Sequence, residues 1–303
     1  MASKTRKKKT AAVKVDVYQD ITDRIVATLE SGTVPWRKPW RSLDGSGPTR
    51  LDGGKAYRGI NVLLLSIASF AKGYSSTYWG TYKQISERGG QVRKGEESTQ
   101  IVFASTFTKK IEENGEEVEK RFRMMKYYSV FNVEQADWED GKMPVKPIIE
   151  ADYVEPIEAA EKIYLGMPHR PEVKHGGDRA FYSPLLDYIG MPPTESFDST
   201  EGYYSTLFHE LVHSTGHESR LGREGIEAFA GFGSESYSKE ELIAEMGAAY
   251  LCAEAGIEPR IDQNAAYIAS WLKVLKNDKK FVVAAASGAS AAADYILDKE
   301  GEA

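Results

Sequence analysis

The stretch Tyr203-Tyr204-Ser205-Thr206-Leu207-Phe208-His209-Glu210-Leu211-Val212-His213 decides how the rear half of this chain is read. On a helix, His209 and His213 lie about one turn apart on the same side. Two neutral imidazoles on one face supply two of the three protein ligands of a catalytic zinc and leave a position open. Glu210 falls on a neighbouring part of that face, where its carboxylate can take a proton from the attacking water. The bland alternative is a surface helix with two incidental histidines. Histidine usage weighs against it, because the chain has five histidines and His209, His213 and His217 are three of them.

A third ligand is expected on a second helix. Residues 238–251, Ser-Lys-Glu-Glu-Leu-Ile-Ala-Glu-Met-Gly-Ala-Ala-Tyr-Leu, are strongly helical in composition and put Glu241 and Glu245 one turn apart. This spacing resembles the second helix of glutamate-type zincins, in which the first acid binds zinc. The second acid there holds the other ring nitrogen of the first histidine. The resemblance implies Glu241 at the metal and Glu245 behind His209, with the reverse assignment as the alternative. A metzincin would need a histidine at position 219, which is Ser219. Gly216 is read instead as the end of the helix, and His217 as a loop residue that touches substrate or caps the turn. Zn2+ is the ion inferred from the ligand types, although the same donors accept Mn2+ or Co2+.

A chain of 303 residues has room for two domains, each with its own core. No apolar run approaches the length of a membrane span, and the N-terminus lacks the apolar segment of a secretory signal. The single cysteine, Cys252, excludes an intramolecular disulfide framework and fits a reducing cytoplasm. A cytoplasmic protein without a membrane partner is therefore expected. The net charge of -6 hides an asymmetry: residues 1–140 carry 24 Lys and Arg against 18 Asp and Glu, leaving 15 against 27 in residues 141–303. A basic front joined to an acidic rear suggests that the front meets an anionic partner, nucleic acid first among them.

The front begins with a basic tail, residues 1–12, read as a solvated arm. Val15 to Ser31 is expected to form an amphipathic helix with Val17, Tyr18, Ile21, Ile25 and Leu29 on one side. Then comes Val34-Pro35-Trp36-Arg37-Lys38-Pro39-Trp40-Arg41, in which prolines forbid a regular helix or central strand. Flat rings beside cations suit base stacking with phosphate neutralisation, the physics of single-strand binding. The alternative is that the tryptophans staple the loop to the core while the cations stay solvated, and the two can coexist. Tyr57, Arg58, Tyr78, Trp79, Tyr82, Arg93 and Lys94 extend the same aromatic and cationic theme. Thr81 is a candidate cap of a short helix ending near Gly89-Gly90. Ile101 to Thr108 and Arg121 to Val133 read as strands around a hairpin signal, Asn114-Gly115. In the rear, Glu155 to Leu165 reads as a helix, and 180–184 and 186–189 as short strands, either a candidate edge for an extended peptide or an ordinary core hairpin.

Together these segments identify a resemblance. The front half resembles the single-stranded-DNA-binding N-terminal domain of ArdC-type antirestriction proteins, a domain also found in plasmid TraC-type primases. The residues that carry it are Val34-Pro35-Trp36, Pro39-Trp40, Tyr57-Arg58-Gly59-Ile60-Asn61, Trp79-x-Thr81-Tyr82-x-Gln84 and Val92-Arg93-Lys94-Gly95. The rear half resembles the zincin-like metallopeptidase domain of that family through Tyr203-Tyr204, His209 to His217, Arg220-Leu221 and Glu240 to Glu245. The resemblance implies an α+β protein of two domains: a small α+β ssDNA-binding domain at 13–140 and, after a linker at 141–152, a mainly helical zincin-like domain with a small sheet at 153–303. It also implies a plasmid or phage protein that protects incoming DNA from host restriction. Its partners would be single-stranded DNA and a peptide or protein substrate, a host restriction component among the candidates. Two rivals stay open: a DNA-binding protein whose zinc is structural, and a metallopeptidase effector merely recruited to DNA.

Overall fold

Apolar residues every three to four positions give α1 (Val17–Glu30) its buried face, Ile21, Ile25 and Leu29. Asp16 caps the helix by accepting from the Tyr18 and Gln19 amides. This computed structural model describes residues 16–36, 47–113, 116–139, 141–144, 156–223, 226, 235–259 and 265–299. The basic tail, Arg37, Lys38, Trp40, Arg41 and most of the expected linker lie outside the described residues.

The front half continues through β1 (Thr49–Arg50), α2 (Ile60–Lys72), β2 (Tyr78–Gly80), α3 (Tyr82–Glu87) and β3 (Gly90–Val92). It ends with β4 (Thr99–Glu113), β5 (Glu116–Asn132) and β6 (Ala136–Trp138). A four-stranded sheet runs β1-β2-β5-β4, and β3 pairs with β6 alone. Thr81 and Gln84 form a reciprocal capping box at α3, each bonding the other's backbone amide. The hairpin signal is matched by a ribbon longer than expected: β4 and β5 pair from Thr99↔Val130 to Glu113↔Glu116.

The rear half holds α4 (Pro156–Gly166), β7 (Glu172–His175), β8 (Phe181–Ser183), β9 (Tyr188–Met191) and α5 (Thr200–Ser214). Helices α6 (Glu235–Ala255), α7 (Ala265–Asn277) and α8 (Phe281–Ile296) complete it. The small sheet runs β7-β9-β8, with β7 parallel and β8 antiparallel to β9, so β8 is an edge beside α5. Strand β7 has no strong alternation of its own and exists through its pairing with β9.

One apolar cluster takes residues from both sides of the expected linker, from Ile21, Trp36 and Leu63 to Phe208, Trp271 and Ile296. Thr22 Oγ1 donates to the Lys279 carbonyl at 2.9 Å and the Gly59 amide donates to Ser290 Oγ at 2.9 Å. Glu30 and Asp16 pair with Lys276 and Lys279. The two halves therefore meet through packed helices, not only through chain connectivity. No helix among the described residues is long and apolar enough to cross a membrane.

Candidate functional site

Ser199 starts α5 by accepting from the Gly202 amide at 3.1 Å. The helix then runs through the core, burying Leu207, Phe208, Leu211 and Val212 on its sides. His209 and His213 follow one another along it with their Nε2 atoms 3.0 Å apart. Helix α6 presents Glu241 to both: Oε2 lies 3.6 Å from His209 Nε2, and Oε1 lies 3.5 Å from His213 Nε2. The three side chains form a group whose ligand atoms all lie within 4.8 Å of one another. Two imidazoles and one carboxylate in such a cluster fit Zn2+ and accept Mn2+.

Close helix approach makes this possible, and Gly247 permits it. A Cβ at Gly247 would lie 2.7 Å from Val212 Cγ2, inside any tolerated contact. Behind the ligands stand two more acids. Glu245 Oε1 lies 4.0 Å from His209 Nδ1, and Glu240 Oε1 lies 3.5 Å from His213 Nδ1. Glu240 is buried and clamped by Arg223, whose Nη2 and Nε reach its two oxygens at 2.5 and 3.0 Å. Arg223 also donates to Thr215 Oγ1 and the Val212 carbonyl, tying the chain after α5 to α6. Glu240 and Arg223 were not anticipated as site residues.

The acids set the electrostatics. Burial opposes charge on His213, but Glu240 and Glu241 override it and push its pKa up to about 10. His209 moves in the same direction, burial again being outweighed, chiefly by Glu241. Burial would raise the carboxyls, yet the facing histidines, with Arg223 at Glu240, pull Glu240 down to about 2 and Glu241 lower still. A field that so favours positive charge also favours a divalent cation. Glu210, the next residue along α5 from His209, is itself buried.

Other expectations for this half are refined. The last helical residue of α5 is Ser214, with Thr215 as its cap in right-handed backbone. Gly216 is demanded by proximity instead: a Cβ there would meet Ile226 Cγ1 at 2.4 Å. His217 bonds Ser219 Oγ at 2.8 Å in the following turn, which is the capping option. The Tyr203 hydroxyl pairs with His175 Nε2 at 2.9 Å, and the Tyr204 hydroxyl donates to Glu161. Arg220 forks onto Asp187 at 2.8 and 2.9 Å and also donates to the Ser214 carbonyl, fixing the β8–β9 turn against the end of α5.

Two of the aromatic residues expected to stack on bases, Trp36 and Trp79, require correction. Trp36 and Trp79 are wholly buried, so neither offers a ring face to a base. Trp36 packs edge-on against Trp271 with centroids 5.2 Å apart, the stapling alternative; Trp79 meets Tyr74 at 5.8 Å. Tyr57 is half-buried against the Leu65 and Trp79 cluster, and burial pushes its hydroxyl up to about 12. Arg58 is paired with Asp294 of α8, which commits its charge to the contact between the halves. Tyr78 is half-buried against the small cluster around Leu51. Tyr82, half exposed, accepts from Gln91, and Arg93 pairs with Glu96 at 2.9 Å. Lys94 is exposed.

Residues 15–131 match the family described as the N-terminal domain of anti-restriction factor ArdC, and residues 158–288 match a zincin-like metallopeptidase family. An uncharacterized protein of Sinorhizobium fredii, y4eC, is 36% identical over 97% of this chain and 96% of its own length. DNA primase TraC of Escherichia coli is 37% identical over 95% of this chain, which spans only 27% of that primase. The chain is also similar to the crystal structure of antirestriction protein ArdC from plasmid R388. The metal-free form gives a TM-score of 0.75 at 42% identity, covering 94% of this chain and 97% of that one. The Mn(II)-bound form gives 0.73 at 40% identity, covering 94% and 98%.

Proposed function

The chain belongs to the family of the antirestriction protein ArdC, and from that premise we propose that it binds single-stranded DNA and protects incoming DNA from host restriction. We assign it a metal-dependent peptidase site as the second part of that activity. The observation that carries the reading is the conjunction, in one chain, of an ArdC-type front half with the His209–His213–Glu241 cluster beside Glu210. The Mn(II)-bound relative supports a divalent cation at this cluster, and the donor set suits Zn2+ equally.

His209 Nε2, His213 Nε2 and Glu241 would hold the ion. When bound, it would polarise a peptide carbonyl and make water a stronger acid. Glu245 and Glu240 orient the two imidazoles from behind. Glu210 accepts a proton at its carboxylate and returns it to the leaving nitrogen. The free edge of β8, beside α5, suits an extended peptide added as a further strand. The peptide would come from a host restriction component, and the activity would lie in the cytoplasm beside the incoming DNA.

Plasmid transfer measures this. Unmodified DNA entering a restricting host should be recovered at the frequency seen in a non-restricting host when the protein is present. Glu210→Ala should abolish that protection while leaving ssDNA affinity intact. Protection that survives Glu210→Ala would reassign it to DNA coating, and no protection by the wild type would contradict the antirestriction reading.

A further inference from the structure

An antirestriction protein that lies on single-stranded DNA needs an accessible stacking surface, and the burial of Trp36 and Trp79 takes two rings from the one expected from sequence. The β4–β5 ribbon supplies another. Strand alternation divides it into two faces, and directly paired residues share a face. One face carries Val102, Met125 and Tyr127 and packs on the core; the Tyr127 hydroxyl reaches the Val17 carbonyl and Asp20 of α1.

Among the described residues, the other face joins a buried cluster at its root, where Ile101 and Val130 meet Leu65 and Trp79. Beyond that root a solvated antiparallel face should be polar. Here it is aromatic: Phe103 is 56% exposed, Phe107 45% and Tyr128 44%. Phe103 and Tyr128 meet edge-on with centroids 6.0 Å apart. Phe107 lies four residue steps along the strand from Phe103, a rise of about 13 Å.

The charges on the ribbon are sorted as well. Lys126 stands opposite Phe103 in register, and Lys120 lies further out on the same face, both exposed. Among the described residues, that face holds no acid from Ile101↔Tyr128 to Ile111↔Val118. Glu117 and Glu119 alternate to the opposite face, where Lys110 pairs with Glu117 at 3.1 Å. Rings with interleaved cations, on a face whose acids Glu113 and Glu116 come only at the tip of the ribbon, complement a chain of bases and phosphates. A protein partner would not by itself call for that sorting of charge.

We propose that the outward face of the β4–β5 ribbon, built on Phe103, Phe107 and Tyr128 with Lys120 and Lys126, is the surface on which single-stranded DNA stacks. This rests on the ssDNA-binding reading above and names its location. The expected mode is sequence-tolerant: rings take base faces while the lysines neutralise phosphates, so affinity falls as salt rises.

Fluorescence anisotropy of a labelled oligo(dT) tests it with the full-length protein across a salt series, alongside light scattering and thermal melting. The triple variant Phe103→Ala/Phe107→Ala/Tyr128→Ala should melt close to wild type and weaken binding at least tenfold, since each ring stacked on a base is worth about five- to 150-fold. Lys126→Ala should lower the slope of log affinity against log salt by about 0.7, the value for one phosphate contact on a single strand. Lys110→Ala removes the same charge from the other face and should have the smaller effect. Wild-type binding with unchanged affinity in the triple variant would overturn the location and spare the ssDNA reading. Absence of wild-type binding would remove that reading itself. Loss of self-association in the triple variant, with DNA affinity intact, would make the face an interface between copies and also overturn the proposal.

Discussion

Replacing Trp36 by alanine should cost stability and leave the DNA affinity of the folded protein unchanged. The indole is wholly buried and packs edge-on against Trp271, which belongs to α7 on the other side of the expected linker. Deleting a buried tryptophan ring costs about 3–5 kcal/mol through lost transfer energy and the cavity it leaves. The edge-to-face pair contributes about 0.5–1.5 kcal/mol of this beyond its area. At about 2–4 °C per kcal/mol for a large domain, the melting midpoint should fall by about 10 °C. Phenylalanine should cost less, because it restores most of the ring and removes an indole N–H that has no acceptor among the described residues. A double-mutant cycle with Trp271→Ala should show positive coupling, since the two rings share one cavity. Calorimetry or circular dichroism gives the midpoints, and oligo(dT) anisotropy well below the melt gives the affinity. An unchanged midpoint with binding weakened about fivefold or more, the signature of a lost stacked base, would refute this assignment of Trp36.

Three further outcomes follow from the metal cluster. Gly247→Ala drives a methyl into Val212 and should separate α5 from α6, weakening metal affinity and costing about 1–3 kcal/mol of stability; a compensating Val212→Ala should restore part of both. Glu240→Ala removes the carboxylate facing His213 Nδ1 and strands Arg223, so metal affinity measured by titration calorimetry should fall about 10–100-fold, with the midpoint lowered as well. The pH dependence has a definite sign. The pKa of His213, raised to about 10, means that a cation must displace a proton there, so affinity should rise with pH by about tenfold per unit for each proton lost, levelling off near pH 10. By the same linkage, apo-protein stability due to that proton is fully present below the ordinary imidazole pKa near 6.5. It is lost as pH rises through about 10, opposite to the trend in metal affinity. Flat affinity between pH 6 and pH 9 would contradict the assigned cause.

What the sequence disclosed was local. The i, i+4 spacing of His209 and His213, the helix cap at Thr81 and the hairpin around Asn114-Gly115 each depend on residues within a few positions, and they could be read directly. Glu241 could be reached through its resemblance to a known second helix. Trp36 could not be placed, because its burial depends on Trp271, far along the chain, while its sequence neighbours are prolines and cations suited to an exposed loop. Glu240 escaped notice for a similar reason: its role is created by Arg223, which arrives from a different segment. Strand β7, Glu-Val-Lys-His, has too little alternation to announce itself without β9 beside it. Gly216 was legible as a required glycine, but the reason is the approach of Ile226, not a left-handed turn. The long ribbon was legible as a hairpin. That its aromatic side faces solvent beyond the root at Leu65 and Trp79 depends on packing between distant segments, which only the folded structure reveals.

Metal titration of two variants decides whether His209, His213 and Glu241 hold one divalent cation with Glu245 behind them. Titration of Mn2+ and Zn2+ into apo protein should give one site per chain for the wild type. Glu241→Ala should lose that site, while Glu245→Ala should keep it at an affinity lowered about 10–100-fold. A site retained in Glu241→Ala and lost in Glu245→Ala would contradict the arrangement described here.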